Sequence, residues 1–159
     1  MIEVDLKNKP EDLLRRNPYG KVPVLEDGAG VIYESAIINE YLEEKFPEIS
    51  LMPKDNLLRA KARIWIDYLN TRVHPAAGDL AHDRQVDKAQ AKMTQYLTTL
   101  NQEMAGRKYL LGDYSLADIT FIPFYTRRER YRVVIDDKYP NLKRWGEDLI
   151  ARPQVAPTI

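Results

Sequence analysis

Residues 19–28, with the sequence YGKVPVLEDG, decide the fold of this chain, and the pair Glu34-Ser35 follows shortly after them. A proline inside a β-branched run is unusual, because proline cannot donate a hydrogen bond to a neighbouring strand. The Val22-Pro23 step therefore has two interpretations: it ends strand pairing, or it exposes the strand end to a ligand. We favour the second interpretation, because Glu34-Ser35 opens a helix whose free N–H groups can hold a carboxylate. Together the motifs predict a site for a peptide with an anionic end.

The flanking residues show strand and helix patterns. Apolar and acidic side chains alternate over residues 2–6, which predicts a half-buried strand. A short helix with Pro10 in its first turn follows, and we expect its leucines at positions 13–14 to face inward. Residues 22–26 and 31–33 predict a hairpin, since the turn between them is rich in glycine. After this hairpin, helical spacing predicts one buried face made of Ile37, Ile38, Tyr41, Leu42 and Phe46.

The second part of the chain is predicted to be helical. Two prolines mark residues 47–55 as a linker between a first domain of residues 1–46 and a helical domain of residues 56–159. Asp55 can cap the first helix of this domain, which we expect to bend or end near Pro75 and Gly78. Two apolar stripes predict an antiparallel helix pair, the first made of Leu58, Ala62, Trp65 and Leu69 and the second of Val86, Ala89, Met93, Tyr96, Leu97, Leu100 and Met104.

The segment from Ser115 to Asp118 has the pattern of a capping box. Ser115 can accept a hydrogen bond from the helix, and Asp118 can reach back to the amide of Ser115. We assign both residues a structural role, because an aspartate at the third helical position is more often a cap than a catalyst.

Composition excludes several classes of function. The 159 residues contain 24 basic and 24 acidic side chains and 44% hydrophobic residues, so we expect a real core and no overall field for nucleic acid or an anionic membrane. The basic segment at 126–132 has two interpretations, a nucleic-acid surface and a solvated helix face, and we favour the second. There are no cysteines, and the two histidines, His74 and His82, show no metal-ligand spacing, so we expect no metal. No membrane helix or signal pattern is visible, which favours a cytoplasmic protein.

The motifs resemble those of the cytosolic glutathione transferase family, in which a Val-Pro motif and a Glu-Ser pair cradle glutathione. Residues 51–53 resemble the family's linker, residues 112–118 its helix-capping signature, and residues 139–145 with 151–153 its last long helix. The resemblance covers nearly the whole chain. It implies an α/β thioredoxin-like N-terminal lobe, incomplete here, followed by an all-α C-terminal helical domain of the glutathione transferase type.

The resemblance also implies roles for individual residues. The glutathione-binding residues would be Lys21, Val22, Pro23, Glu34 and Ser35. Lys21 would pair with a carboxylate of glutathione, although an exposed lysine is commonly only solvated, and Ser35 has the alternative role of a simple helix cap. The pocket for a small electrophilic second substrate would be lined by Tyr68, Arg72 and His74, although a histidine at such spacing is more often a core residue.

The chain departs from the family at its start. Family members begin with a strand and a helix that carry the catalytic Tyr, Ser or Cys, whereas residues 2–6 here resemble the second strand. We therefore expect a chain that is naturally short or incomplete, with an unknown catalytic residue and weak activity. The alternative is a non-catalytic relative similar to stringent starvation protein A, which uses the fold to bind RNA polymerase.

The same departure predicts how the sheet is completed. In the family's lobe the first strand lies between the second and third strands, so its absence would leave a gap in the sheet. Either residues 2–6 move beside residues 22–25, or a strand of a second molecule fills this gap, since an open edge is a template for pairing. We expect a homodimer.

Overall fold

The computed structural model describes residues 2–158, and the chain divides into two compact units, Met1–Ser50 and Leu51–Ile159. The first combines a small sheet with helices and the second is helical. The first predicted domain, residues 1–46, begins at residue 1, and the second, residues 56–159, ends at residue 159. Both of these terminal residues lie outside the described residues.

The first unit consists of a helix, a hairpin and a second helix. Helix α1 spans Glu11–Arg16, strands β1 and β2 span Val24–Asp27 and Gly30–Tyr33, and helix α2 spans Ser35–Lys45. The strands are antiparallel, with Val24 opposite Tyr33 and Asp27 opposite Gly30. Gly28 has a φ of +59°, a conformation that the tight turn needs and that glycine adopts without strain. The predicted hairpin is confirmed.

The prediction of a strand at residues 2–6 is wrong. This segment forms no strand, and it does not move beside β1, because the described sheet contains β1 and β2 alone. Alternating side chains define two faces but do not provide a partner, and an unpaired extended segment has no ladder hydrogen bonds to hold it. Ile2 and Leu6 are accordingly 83% and 50% exposed.

Two predictions of burial in the first unit are also only partly correct. In α1 Leu13 is buried, whereas Leu14 is 46% exposed. In α2 Ile38 is buried, whereas Ile37 and Leu42 are exposed, and Phe46, which directly follows α2, is more than half exposed. The physical reason is that a two-stranded sheet covers only a narrow stripe of a helix, too narrow for every apolar residue in the pattern.

The second unit contains five α-helices in the described residues. They are α3 (Asn56–Tyr68), α4 (His74–Ala81), α5 (Val86–Glu103), α6 (Leu116–Thr126) and α7 (Pro140–Ile150). The Asp55 carboxylate caps α3 by accepting from the Leu58 amide at 2.9 Å, as its position predicts. The members of the second stripe are buried except Val86, which is 43% exposed, and Tyr96, which is half-buried.

The irregularity expected near Pro75 lies one turn earlier. Residues Leu69–Val73 form a π-helical turn that joins α3 to α4, and Pro75 belongs to the first turn of α4. Pro75 cannot donate to the carbonyl four residues before it, and its ring crowds that carbonyl. The backbone therefore widens ahead of the proline, and the helix continues instead of ending.

Helix α6 begins at a buried polar cluster. A capping box forms between Ser115 and Asp118, and Asp118 is 0% exposed. Its carboxylate accepts from the Ser115 amide and hydroxyl, both at 3.0 Å, from the Leu110 amide at 3.1 Å and from the Trp145 indole at 3.0 Å. One side chain therefore joins the start of α6, the loop before it and α7. Burial raises the pKa of Asp118 above its ordinary value, and the donated hydrogen bonds oppose that rise.

Candidate functional site

The backbone of Val22 is open to a ligand. The Val22-Pro23 peptide bond is cis, and Val22 lies just outside β1 with 45% of its surface exposed. Within residues 2–158, neither the N–H nor the C=O of Val22 has a hydrogen-bond partner. An exposed peptide group of this kind can pair with the main chain of an extended ligand.

The start of α2 provides a second open group of donors. The first intrahelical bond runs from the Ile38 amide to the Glu34 carbonyl at 2.9 Å, and in the described chain no side chain caps this end. The amides of residues 35–37 are therefore available, and the helix dipole favours a negative charge beside them. Glu34 has a φ of +69°, an uncommon conformation for a residue with a side chain.

The hairpin brings these two groups to one end of the first unit. Val24 pairs with Tyr33. Residues 22–23 directly precede Val24 and residues 34–35 directly follow Tyr33, so both segments lie at the same end of the hairpin. Lys21, Val22, Pro23, Glu34 and Ser35 are all exposed. The five residues predicted for glutathione binding therefore lie together at one exposed edge.

A charged cluster ties α2 to the hairpin. The Asp27 carboxylate accepts hydrogen bonds from the Tyr41 hydroxyl and the Lys45 ammonium group, and both hold the pKa of Asp27 below its ordinary value. Asp27 lies at the turn of the hairpin, so this contact fixes α2 against the sheet. The sequence alone does not indicate it, because its members are far apart along the chain and each is an ordinary surface residue by type.

The three residues predicted for a second-substrate pocket have separate surroundings. Tyr68 packs against α5, where its hydroxyl donates to the Tyr96 carbonyl at 3.4 Å and its ring meets the Tyr96 ring edge-on. Arg72 is exposed. His74 instead faces α6, with its ring edge-on to Phe124 at 6.1 Å. The described contacts do not bring Tyr68 and His74 into one site, and their role in a pocket stays a prediction.

A cleft of about 520 Å³ lies elsewhere in the helical unit. It runs along α3 and meets the last residue of α5 and the loop that follows. Its lining is Leu58, Lys61, Ile64, Trp65, Glu103, Arg107, Leu110, Leu111 and Gly112, which includes none of the three predicted pocket residues.

Two arginines of the basic segment at 126–132 make contacts within the helical unit. Arg132 makes a bidentate ion pair with Asp83 at 2.6 and 3.2 Å. Arg128 lies over the Tyr125 ring at 4.3 Å and donates to the Tyr125 carbonyl. These contacts favour the interpretation of a helix end with structural cations over a nucleic-acid surface.

The surroundings of His74 predict a pH effect on stability. Burial lowers the pKa of His74 below its ordinary value of 6.5, the nearby Arg127 cation adds to this, and the Thr120 backbone opposes it. Because the folded pKa is below the unfolded value, the unfolded chain binds more protons, and stability falls as the pH drops below about 6.5 towards the folded pKa. We expect the wild type to lose more free energy of unfolding between about pH 7.5 and pH 5 than the variant His74→Gln. Urea titrations at both pH values measure this difference. Equal losses in the two proteins would contradict a lowered pKa of His74 in the folded state.

Comparison with known proteins identifies the family. Residues 1–50 match the family model of the glutathione S-transferase N-terminal domain, and residues 64–153 match that of the C-terminal domain. The chain belongs to the glutathione S-transferase family. The expected fold is confirmed: the chain has a thioredoxin-like N-terminal lobe and a helical C-terminal domain.

Plant relatives align with almost the whole of this chain. A probable glutathione S-transferase of Nicotiana tabacum is 34% identical, with 97% of this chain and 73% of the relative aligned. Glutathione S-transferase U25 of Arabidopsis thaliana is 31% identical over 99% of this chain and 75% of its own length.

Solved structures show the same fold. Glutathione transferase Omega 3C from Trametes versicolor has a TM-score of 0.84 at 29% identity, covering 99% of this chain and 76% of its own. A glutathione transferase from Burkholderia graminis, solved with two glutathione molecules bound per subunit, has a TM-score of 0.79 at 28% identity over 93% of this chain and 70% of its own.

Two further features of the described chain bear on the expected function classes. Among residues 2–158, no helix is both long and apolar enough to cross a membrane. In the same range no three His, Cys, Asp or Glu side chains converge as a metal site would require, and the expectation of no metal stays a prediction.

Proposed function

We propose that the first unit binds glutathione and that the protein conjugates it to small electrophiles. The observation that carries this proposal is the pairing of Val24 with Tyr33, which places the unpaired Val22 backbone and the uncapped start of α2 at the same edge. Glutathione is an extended peptide with two carboxylates. It therefore offers main-chain groups to the first feature and an anion to the second.

Each predicted residue has a role in this proposal. The Val22 N–H and C=O pair with the main chain of glutathione, and Pro23 holds the strand end open. The amide and hydroxyl of Ser35 bind one carboxylate, and Glu34 sets the entry to α2. Lys21 is exposed beside this edge, and it contributes a positive charge towards the other carboxylate.

Conjugation also needs a donor that stabilises the glutathione thiolate. Tyr19 and Tyr33 are the hydroxyl-bearing rings nearest to the edge in sequence, but they pack edge-on against each other with centroids 5.5 Å apart. We assign neither of them to the sulfur. The 159-residue polypeptide by itself is therefore proposed to conjugate electrophiles slowly. We place the second-substrate pocket at Tyr68, Arg72 and His74.

The open sheet also bears on the assembly of the protein. The hairpin has unpaired edges in the described residues, and an open strand edge is a template for a second chain. We propose a homodimer that works in the cytoplasm.

Replacing Ser35 by Ala tests the proposed site. We expect wild-type protein to bind reduced glutathione in calorimetry and the variant to lose about 1 to 2 kcal/mol of binding free energy, because one hydrogen bond to a charged group is removed. Ser35→Thr keeps the hydroxyl and should bind like the wild type. Thr98→Ala, at an exposed position of α5, is the control for a remote substitution. Wild-type protein that gives no heat with millimolar glutathione would remove the proposal.

A further inference from the structure

A buried amide lies directly behind the proposed binding edge. Asn17 follows α1 and is 1% exposed, although amide side chains are mostly found at the surface. Its Nδ2 donates to the Lys21 carbonyl at 2.8 Å, and its Oδ1 accepts from the Tyr19 amide at 3.0 Å. One side chain thus closes the loop that leads into Val22.

The backbone of this loop is equally constrained. The Asn17 amide donates to the Leu13 carbonyl at 2.8 Å, which ties the residue to α1, and the Gly20 amide donates to the Asn17 carbonyl at 2.8 Å. Gly20 has a φ of +59°, and a Cβ there would lie 3.0 Å from the Leu14 side chain. The loop therefore has little room to take another shape.

The carbonyl that accepts from Asn17 belongs to the peptide group that leads into Val22. The Lys21 carbonyl and the Val22 N–H belong to one peptide group, and a peptide group is planar. A hydrogen bond that fixes the carbonyl therefore fixes the direction of the N–H at the other end of the same plane. The Val22 N–H has no partner among the described residues, so the plane is held from one side and open on the other.

We propose that Asn17 is a positioning residue for glutathione, which orients the Lys21–Val22 peptide group so that the Val22 N–H faces the ligand. This inference rests on the proposed function, because the ligand pairs with Val22 in that proposal. Asn17 itself does not contact glutathione. Its buried donor lowers the cost of ordering the binding edge when the ligand arrives.

Two variants separate the hydrogen bonds of Asn17. Asn17→Asp has nearly the same shape and can still accept from the Tyr19 amide, but it cannot donate to the Lys21 carbonyl. Asn17→Leu has a similar shape, no charge and neither hydrogen bond. We expect both to weaken glutathione binding about tenfold, which corresponds to about 1.4 kcal/mol. Loss in the aspartate variant alone would indicate charge repulsion and would overturn the proposal.

A matched control uses a second asparagine in the helical unit. Asn101 accepts from the amides of Asn141 and Leu142 at 3.0 and 3.1 Å. Asn101→Asp introduces the same charge away from the loop, and we expect glutathione affinity equal to that of the wild type. A tenfold loss in this control as well would show that the effect is global and would contradict a specific role for Asn17.

A ligand-free measurement keeps this inference separate from the proposed function. In ¹⁵N relaxation without glutathione, we expect the order parameter of the Val22 amide to fall in both Asn17 variants while amides in β1 and β2 keep theirs. Preserved dispersion of the β1 and β2 signals shows that the unit is folded. Unchanged order at Val22 in folded variants would overturn the positioning role, whatever the wild type does with glutathione. Absence of glutathione binding by the wild type, with reduced order at Val22, would overturn the proposed function instead.

Discussion

Replacing Asp118 by Ala is expected to lower the free energy of unfolding of the helical unit by about 3 to 5 kcal/mol. The Asp118 carboxylate has no exposed surface and accepts from Leu110, from both donors of Ser115 and from the Trp145 indole. Alanine leaves these donors buried without an acceptor, and each such group costs about 1 to 3 kcal/mol. Urea unfolding followed by tryptophan fluorescence measures the loss, because Trp145 belongs to the cluster.

Two further variants test whether the loss comes from the buried carboxylate acceptor or from an ordinary helix cap. Asp118→Asn keeps the shape but turns an NH₂ group towards the same donors, so we expect most of the loss to remain. Asp55→Ala removes an exposed helix cap with a single side-chain bond to the Leu58 amide, and we expect about 1 kcal/mol. If Asp118→Ala cost no more than Asp55→Ala, the carboxylate would be an ordinary cap and the cluster would not hold the unit together.

Replacing Gly146 by Ala is expected to destabilise the same unit by about 1 to 3 kcal/mol, although alanine favours helices more than glycine. Gly146 is buried in α7, and a Cβ there would overlap the ring of Tyr125 in α6. Tyr125 is 2% exposed, so its ring has no open space to move into. The overlap therefore has to be relieved by separating the two helices.

A matched glycine in α4 provides the control. At Gly78 the nearest atom to a new Cβ is 3.8 Å away, an ordinary contact, so Gly78→Ala should be neutral or stabilising by up to about 1 kcal/mol. Adding Tyr125→Ala to Gly146→Ala should cost less than the sum of the two single changes, because the smaller side chain relieves the overlap. Strictly additive losses would show that the glycine is not required by the ring.

The sequence predicts those elements whose cause is local. The Asp27–Gly30 hairpin turn, the cap at Asp55 and the box at Ser115 each depend on residues a few positions apart, and the structure shows all three. The exposed edge at Val22 was predictable for the same reason, since a proline step and a helix start are both visible as short motifs.

The remaining features depend on partners that the sequence does not place. The alternating segment at residues 2–6 forms no strand, because alternation does not supply a neighbour. The indole bond from Trp145 to Asp118 spans two helices, and nothing in either local pattern indicates it. Asn17 had a weak signal, since an asparagine that ends a helix before a proline is typical of a side chain that bonds its own loop. Its burial is visible only in the fold.

An amide-resolved titration with reduced glutathione tests the central claim most directly. In ¹H–¹⁵N spectra of the wild-type chain, we expect saturable shifts at the amides of residues 21–22 and 35–37, with the helical unit's core signals unchanged. These shifts would place the ligand main chain at Val22 and a carboxylate at the start of α2. No shifts at millimolar glutathione, or shifts confined to residues outside this edge, would contradict the account.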